Sequence, residues 1–233
     1  LPLQLASLSR HLNAEAGPSL TATLIQSLFT MPDRATVFLI DDDQAVRDAI
    51  RLLLETSGFT VQAFASAIDF LNMAVIGQPG CLVLDVRMPG LSGLDLQKRL
   101  RAQGYRIPII FITGHGDVPM AIRAMKAGAF DFIEKPFQGQ TLLARIEEAL
   151  AADGQERCRQ THRADAAARL ALLSPREREV LERVADGQYN KVIAAELNIS
   201  LSTVEIHRKR VMEKLQAESL TDLIRLLALL QAD

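Results

Sequence analysis

The sequence predicts an α/β fold, a doubly wound five-stranded parallel sheet, followed by a small all-α domain. Three observations carry this. β-rich apolar runs alternate with segments of helical spacing from residue 36 to about residue 152. The central run, Cys81–Leu84, is wholly apolar, as a strand covered on both faces must be. From Ser174 to residue 230 only helical spacing remains.

In chain order, Thr36–Ile40 reads as strand, and Gln44–Thr56 as helix with Val46, Ile50, Leu53 and Leu54 on one stripe before Ser57-Gly58. Thr60–Phe64 follows as strand, Ala67–Ile76 as helix, Cys81–Leu84 as strand and Leu94–Leu100 as helix. Ile107–Ile112 is strand, Val118–Lys126 helix ending at Gly128, and Phe130–Ile133 strand. A helix from about Gln138 to Ala152 carries Leu142, Ile146 and Leu150. Residues 153–170, polar and rich in Ala, Arg and Gln, read as a linker that can be helical in part. Ser174-Pro175-Arg176-Glu177 then has the pattern of a capping box with proline in the first turn. The later helices are expected to break at Gly187-Gln188, Asn198–Ser200 and Ala217-Glu218.

Composition narrows the classes of function. The chain has 233 residues, 48% hydrophobic and 23% charged, with a formal net charge of −2, which excludes a disordered chain. No apolar run reaches the roughly 18 residues of a membrane-spanning helix. Cys81 and Cys158 lie too far apart for a zinc motif or a disulfide framework, so reduced, intracellular thiols are expected. The chain begins with Leu1, and residues 1–30 hold one Lys/Arg residue, Arg10, and no continuous apolar core, so no secretory signal is read there. The native start is expected near Met31, and residues 1–34, which precede the first strand, are read as an extension of unknown role.

Polar residues gather at the C-terminal ends of the expected strands. Ile40 leads into Asp41-Asp42-Asp43, Leu84 into Asp85, Ile112 into Thr113, and Ile133 into Glu134-Lys135. In an open parallel sheet these ends share one edge, where ligands bind. Loops are polar anyway, but chance does not readily supply an Asp triplet, an Asp, a Thr and a Lys-Pro together. Clustered carboxylates repel, and a hard divalent cation such as Mg²⁺ relieves the repulsion through oxygen ligands. Asp85 is the best placed nucleophile for an acyl phosphate, with Lys135 as point charge and Thr113 as hydroxyl partner. No glycine-rich nucleotide loop occurs, so the phosphoryl donor is expected to be external.

Leu39-Ile-Asp-Asp-Asp43, Leu84-Asp-Val-Arg-Met-Pro-Gly90, Thr113-Gly-His-Gly116 and Lys135-Pro136 resemble the four signatures of two-component receiver domains, which have a flavodoxin-like fold. The resemblance implies a receiver over residues 35–152, with Asp85 as phospho-acceptor. Asp41, Asp42, Asp85 and the backbone carbonyl of Arg87 would hold the Mg²⁺ that phosphorylation requires. Asp43 would lie just outside the acidic pair, Thr113 would turn toward the phosphoryl group, and Phe132 would be the switch aromatic. By itself Phe132 reads as strand packing. Lys135-Pro136 would be cis. By itself His115 reads equally as a loop residue that tunes hydrolysis of the phosphoryl group and as a solvent-facing imidazole.

In the C-terminal part, a short helix, the turn Asn198–Ser200 and a second helix form a helix-turn-helix pattern. With Val204, Val211 and Leu215 inward, 100° per residue places Ser202, Ile206, Lys209 and Glu213 outward. Glu205 and Arg210 flank that face, and Thr203, His207 and Lys214 lie nearer its edge. A solvated helix of a dimerisation bundle would show a similar pattern, but Ile206 is apolar where such a helix should be wet. Arg176–Leu181, Asn190-Lys191, Ile193-Ala194, Thr203-Val204 and His207 resemble the DNA-binding domain of LuxR/NarL-type regulators, here residues 171–233. The resemblance implies DNA contacts from Asn190, Lys191, Ser202, Thr203, Glu205, Ile206, His207, Lys209 and Arg210, and a dimerising helix at Leu220–Leu230. Residues 170–233 hold nine Lys/Arg against ten Asp/Glu, so affinity must come from a local patch around Arg208-Lys209-Arg210, Lys191 and Lys214.

The whole chain is thus similar to FixJ-like response regulators. The family implies a cytoplasmic, non-membrane regulator with self-phosphotransfer and autodephosphorylation at Asp85 as its only catalysis. Its expected partners are a sensor histidine kinase, promoter DNA, RNA polymerase and a second copy of itself once phosphorylated. Activation is favoured over repression. Two other readings fit some of the same residues: a Mg²⁺-dependent phosphotransferase or phosphatase acting on small molecules, and a transcription factor whose receiver never meets phosphate.

Overall fold

The computed structural model describes residues 35–73, 77–114 and 118–231. The expected N-terminal extension, His115 and the last turn of the helix expected to end at Ile76 lie outside them. The described chain divides after Asp153 into two compact units.

The first unit is a five-stranded parallel sheet in the order β2-β1-β3-β4-β5, with β1 Thr36–Ile40, β2 Thr60–Phe64, β3 Gly80–Asp85, β4 Ile109–Thr113 and β5 Asp131–Glu134. Helices α1 (Gln44–Thr56), α2 (Ala67–Met73), α3 (Gly93–Ala102), α4 (Val118–Lys126) and α5 (Gly139–Ala171) connect and follow the strands. Successive strand residues point to opposite faces, and both faces are covered. Phe38, Ile40, Leu82, Leu84, Ile109 and Phe111 pack with Phe70 of α2, Leu96 and Leu100 of α3, and Met120 and Ala124 of α4. Val37, Leu39, Cys81, Val83, Ile110 and Ile112 pack with Ile50 and Leu54 of α1 and Leu142, Ile146 and Ala149 of α5. The two faces explain why β1, β3 and β4 read as largely continuous apolar runs. Cys81 is buried in this core and Cys158 is exposed, both as free thiols.

One expectation is corrected. The segment 153–170 is helical throughout, as part of the 33-residue α5. Its Ala, Arg, Glu and Gln residues are strong helix formers, it lacks proline, and spaced pairs such as Arg159–Glu156 and Arg169–Asp165 support it. Weak hydrophobic periodicity hid the helix without preventing it. Asp153, expected to open the linker, is buried and accepts a hydrogen bond from the Gly80 N–H at 3.0 Å.

The second unit contains α6 (Pro175–Ala185), α7 (Asn190–Leu197), α8 (Leu201–Leu215) and α9 (Leu220–Gln231). The Ser174/Glu177 capping box opens α6, with proline in its first turn. Asn198 ends α7 in the left-handed region (φ 52°), which asparagine tolerates well, and Ser200 caps α8. Val180, Val184, Ile193, Leu197, Val204, Val211, Leu215 and Leu223 form the core. Among the described residues, no helix is long and apolar enough to cross a membrane.

Candidate functional site: an acidic pocket and a helical reading face

The pocket lies where strand order reverses, at the C-terminal ends of β1 and β3. Asp41 directly follows β1 and is fully buried; Asp85 ends β3 and is 9% exposed; Asp42 is exposed. Carboxylate oxygens of the three lie within 4.8 Å of one another. Lys135, at the end of β5, places Nζ 2.7 Å from Asp41 Oδ2 and 3.7 Å from Asp85 Oδ2. Thr113 ends β4, is buried, and accepts the Lys135 N–H on its carbonyl at 2.7 Å. Lys135-Pro136 is cis, as the resemblance implies. Asp43 caps α1, its Oδ1 accepting from the N–H groups of Ala45 and Val46, so it stands outside the pocket.

Burial pushes the Asp85 carboxyl above its ordinary range, and the nearby Asp41 charge adds to this. The Lys135 ammonium and the N–H groups of Arg87 and Val86 act in the opposite direction. Three convergent carboxylates against one ammonium leave an excess of negative charge on hard oxygen donors. That donor set fits Mg²⁺. Phe132 on β5 is half-buried, with its ring centroid 6.5 Å from that of Phe111.

Two residues that shape the pocket were missed in the sequence. Arg47, on the first turn of α1, donates from Nη1 to the Asp41 carbonyl at 2.7 Å, pinning the acidic loop. A basic side chain six positions after an acidic one is too common to signal this. Gly93, opening α3, lies so close to β3 that a Cβ there would come 2.3 Å from the Asp85 carbonyl oxygen. The glycine is needed for that close approach, which brings α3 against the strand end that carries Asp85.

The second candidate surface is the outside of α8. Val204, Val211 and Leu215 point inward, while Ser202, Glu205, Ile206, Lys209, Arg210 and Glu213 are exposed. Ile206 is 52% exposed. Thr203 and His207 are half-buried, and the Ser200 hydroxyl lies 2.8 Å from that of Ser202 and 2.7 Å from that of Thr203. Lys191 on α7 is exposed. Asn190 is held from α8 by Arg208, whose Nη1 donates to Asn190 Oδ1 at 2.6 Å, linking α7 to α8.

The expected basic patch is smaller than its sequence. Lys214 turns away to Glu177, with Nζ 2.6 Å from Oε2, and also donates to the Leu172 carbonyl. A buried carboxylate demands a partner, and Lys214 supplies it. Arg208 serves Asn190, leaving Lys191, Lys209 and Arg210 as the exposed cations of this face.

An acidic pocket at the strand ends of a doubly wound sheet, with a helix-turn-helix unit in the same chain, points to a signal-responsive DNA-binding regulator. Comparison with known proteins places it further. The family described as "Response regulator receiver domain" matches residues 37–147, and "Bacterial regulatory proteins, luxR family" matches residues 171–227. The transcriptional regulatory protein FixJ of Bradyrhizobium diazoefficiens is 47% identical over 196 residues, covering 84% of this chain and 96% of that protein. The response regulator protein TodT of Pseudomonas putida is 46% identical, covering 84% of this chain and 86% of its own. The solved structure of the response regulator StyR superposes with a TM-score of 0.76 at 45% identity, over 84% of this chain and 98% of that one. The chain belongs to the two-component response regulators, with a receiver domain and a LuxR-type DNA-binding domain, and is a transcription regulator. The receiver implies a histidine kinase partner, and the second domain implies DNA. Receiver domains generally use Mg²⁺ at such an acidic pocket.

Proposed function

We propose that Asp85 is the residue that a sensor histidine kinase phosphorylates, and that the phosphorylated chain dimerises and binds promoter DNA to activate transcription in the cytoplasm. The observation that supports this reading most is Lys135 Nζ set between Asp41 and Asp85 in a cluster of three carboxylates. An Asp85 oxygen attacks the phosphorus of a phosphohistidine; the new O–P bond replaces the P–N bond, and the imidazole leaves with a proton from solvent. Asp41, Asp42, Asp85 and the Arg87 carbonyl would hold Mg²⁺, which would neutralise the charge of the phosphoryl oxygens. Lys135 keeps a positive charge beside the new group, and the Thr113 hydroxyl donates to it. Hydrolysis of the acyl phosphate resets the switch.

The dimer forms, in this reading, on the α4–β5 side, where Val118, Ile122 and Met125 lie exposed at helical spacing. Ser202, Thr203, Glu205, Ile206, His207, Lys209 and Arg210 of α8, with Asn190 and Lys191, then face the DNA, and RNA polymerase is recruited beside it. Incubation with labelled acetyl phosphate and Mg²⁺ tests the assignment: the wild-type chain takes up label, and Asp85→Asn takes up none. Equal labelling of the variant would refute Asp85 as acceptor.

A further inference from the structure

The last turn of α4 is held by side chains from α3. Gln97, fully buried, donates from Nε2 to the carbonyls of Ala124 and Ala127, each at 3.2 Å. One turn on, Arg101 donates from Nη2 to the Gly128 carbonyl at 2.8 Å and from Nη1 to the Tyr105 carbonyl at 3.1 Å. Residues four apart share a helix face, so the two donors form one grip. The end of a helix carries the negative pole of its dipole and leaves its last carbonyls short of donors; the amide and the guanidinium supply donors to the Ala127 and Gly128 carbonyls, and the amide adds a second to that of Ala124. The same turn is closed from within, the N–H groups of Ala127, Gly128 and Ala129 bonding to the carbonyls of Arg123, Met125 and Ala124.

Gln97 is a poor choice for filling space. Its Oε1 is buried with no hydrogen-bond partner among the described residues, a penalty that a methionine of similar size would avoid. What the amide supplies, and methionine cannot, is the hold on two carbonyls. At the opposite end, α4 begins at Val118, which is 71% exposed.

We propose that Gln97 and Arg101 are positioning residues that clamp the C-terminal end of α4 and make it the pivot of the switch. The inference rests on phosphorylation of Asp85. When Thr113 closes on the phosphoryl group, α4 tilts about the clamp instead of sliding, so displacement is largest near Val118 and smallest near Met125. With the clamp cut, α4 samples both placements whatever the state of Asp85, and dimerisation loses its dependence on phosphate.

The full chain tests this as wild type, Gln97→Met, Arg101→Met and the double variant, each with acetyl phosphate and Mg²⁺. Label uptake should match the wild type. The ratio of dimer dissociation constants without and with phosphorylation, from sedimentation equilibrium, should fall about threefold to tenfold for Arg101→Met, the range expected for one lost hydrogen bond to the α4 end, and further for Gln97→Met, which loses two. Normal labelling with an unchanged ratio overturns the clamp alone; absence of label in the wild type overturns the Asp85 reading as well. Hydrogen exchange on the wild type needs no variant to fold. The amides of Ala127, Gly128 and Ala129 should keep their protection on phosphorylation while those of Ala121 and Ile122 change. A uniform change along α4 would overturn the pivot.

Discussion

Glu177 serves two neighbours at once. Its carboxylate closes the capping box of α6 by accepting the Ser174 N–H at 2.8 Å, and it binds the Lys214 ammonium of α8 at 2.6 Å. The Lys214 ammonium, followed by the Ser174 N–H, holds its pKa at about 2, below its ordinary 4.5. A depressed carboxyl pKa stabilises the fold above the ordinary value and loses that contribution as pH falls from about 4.5 toward 2. Glu177→Ala should therefore cost about 2 kcal/mol at pH 7, read by thermal unfolding of the full chain, and Glu177→Gln less, since its amide oxygen still caps α6. The gap between wild type and Glu177→Ala should close toward pH 2; a gap independent of pH would show that the ion pair contributes nothing. The capping box was legible from four consecutive residues. The ion pair was not, because Lys214 lies 37 positions away and only folding brings it near.

At the scale of the element, β1 was legible because burial on both faces demands a continuous apolar run, whereas β2, a half-exposed edge strand, was legible from its alternating residues; both match expectation end to end. The segment 153–170 was not, since helix propensity without an apolar stripe leaves no periodic mark. On α8 the inward stripe was legible from 100° geometry, but which cations stay free was not. Lys209 is exposed and only loosely paired with Glu213, at 3.9 Å, whereas Lys214 is held in the structure. Lys209→Ala should thus lower the slope of log K against log[salt] for DNA binding by about 1, the loss of one counterion-releasing contact. Gel-shift titrations at several salt concentrations measure it. An unchanged slope would place Lys209 off the DNA.

For the whole molecule, the proposed function requires that phosphorylation change how two copies meet DNA. A two-fold dimer places its reading helices one turn of DNA apart, so half-sites should be separated by about 10 bp centre to centre. Insertion of 5 bp between half-sites should abolish binding of the phosphorylated chain, and insertion of 10 bp should weaken it less. Equal binding to all three spacings would mean that the copies bind independently. The net charge of −2 carries no information at this scale, because it averages an acidic pocket with a few exposed cations.

The sequence by itself determined the family, the alternating architecture and the short motifs at the strand ends, because backbone periodicity and local chemistry act over a few residues. Only the tertiary structure decided which charges remain available. It set Lys135 between Asp41 and Asp85, spent Lys214 on Glu177, anchored Asp153 on Gly80, and gripped α4 with Gln97 and Arg101. The reason is physical. A buried polar group must find its partner wherever packing brings one within about 3 Å, and that choice leaves no trace in sequence spacing.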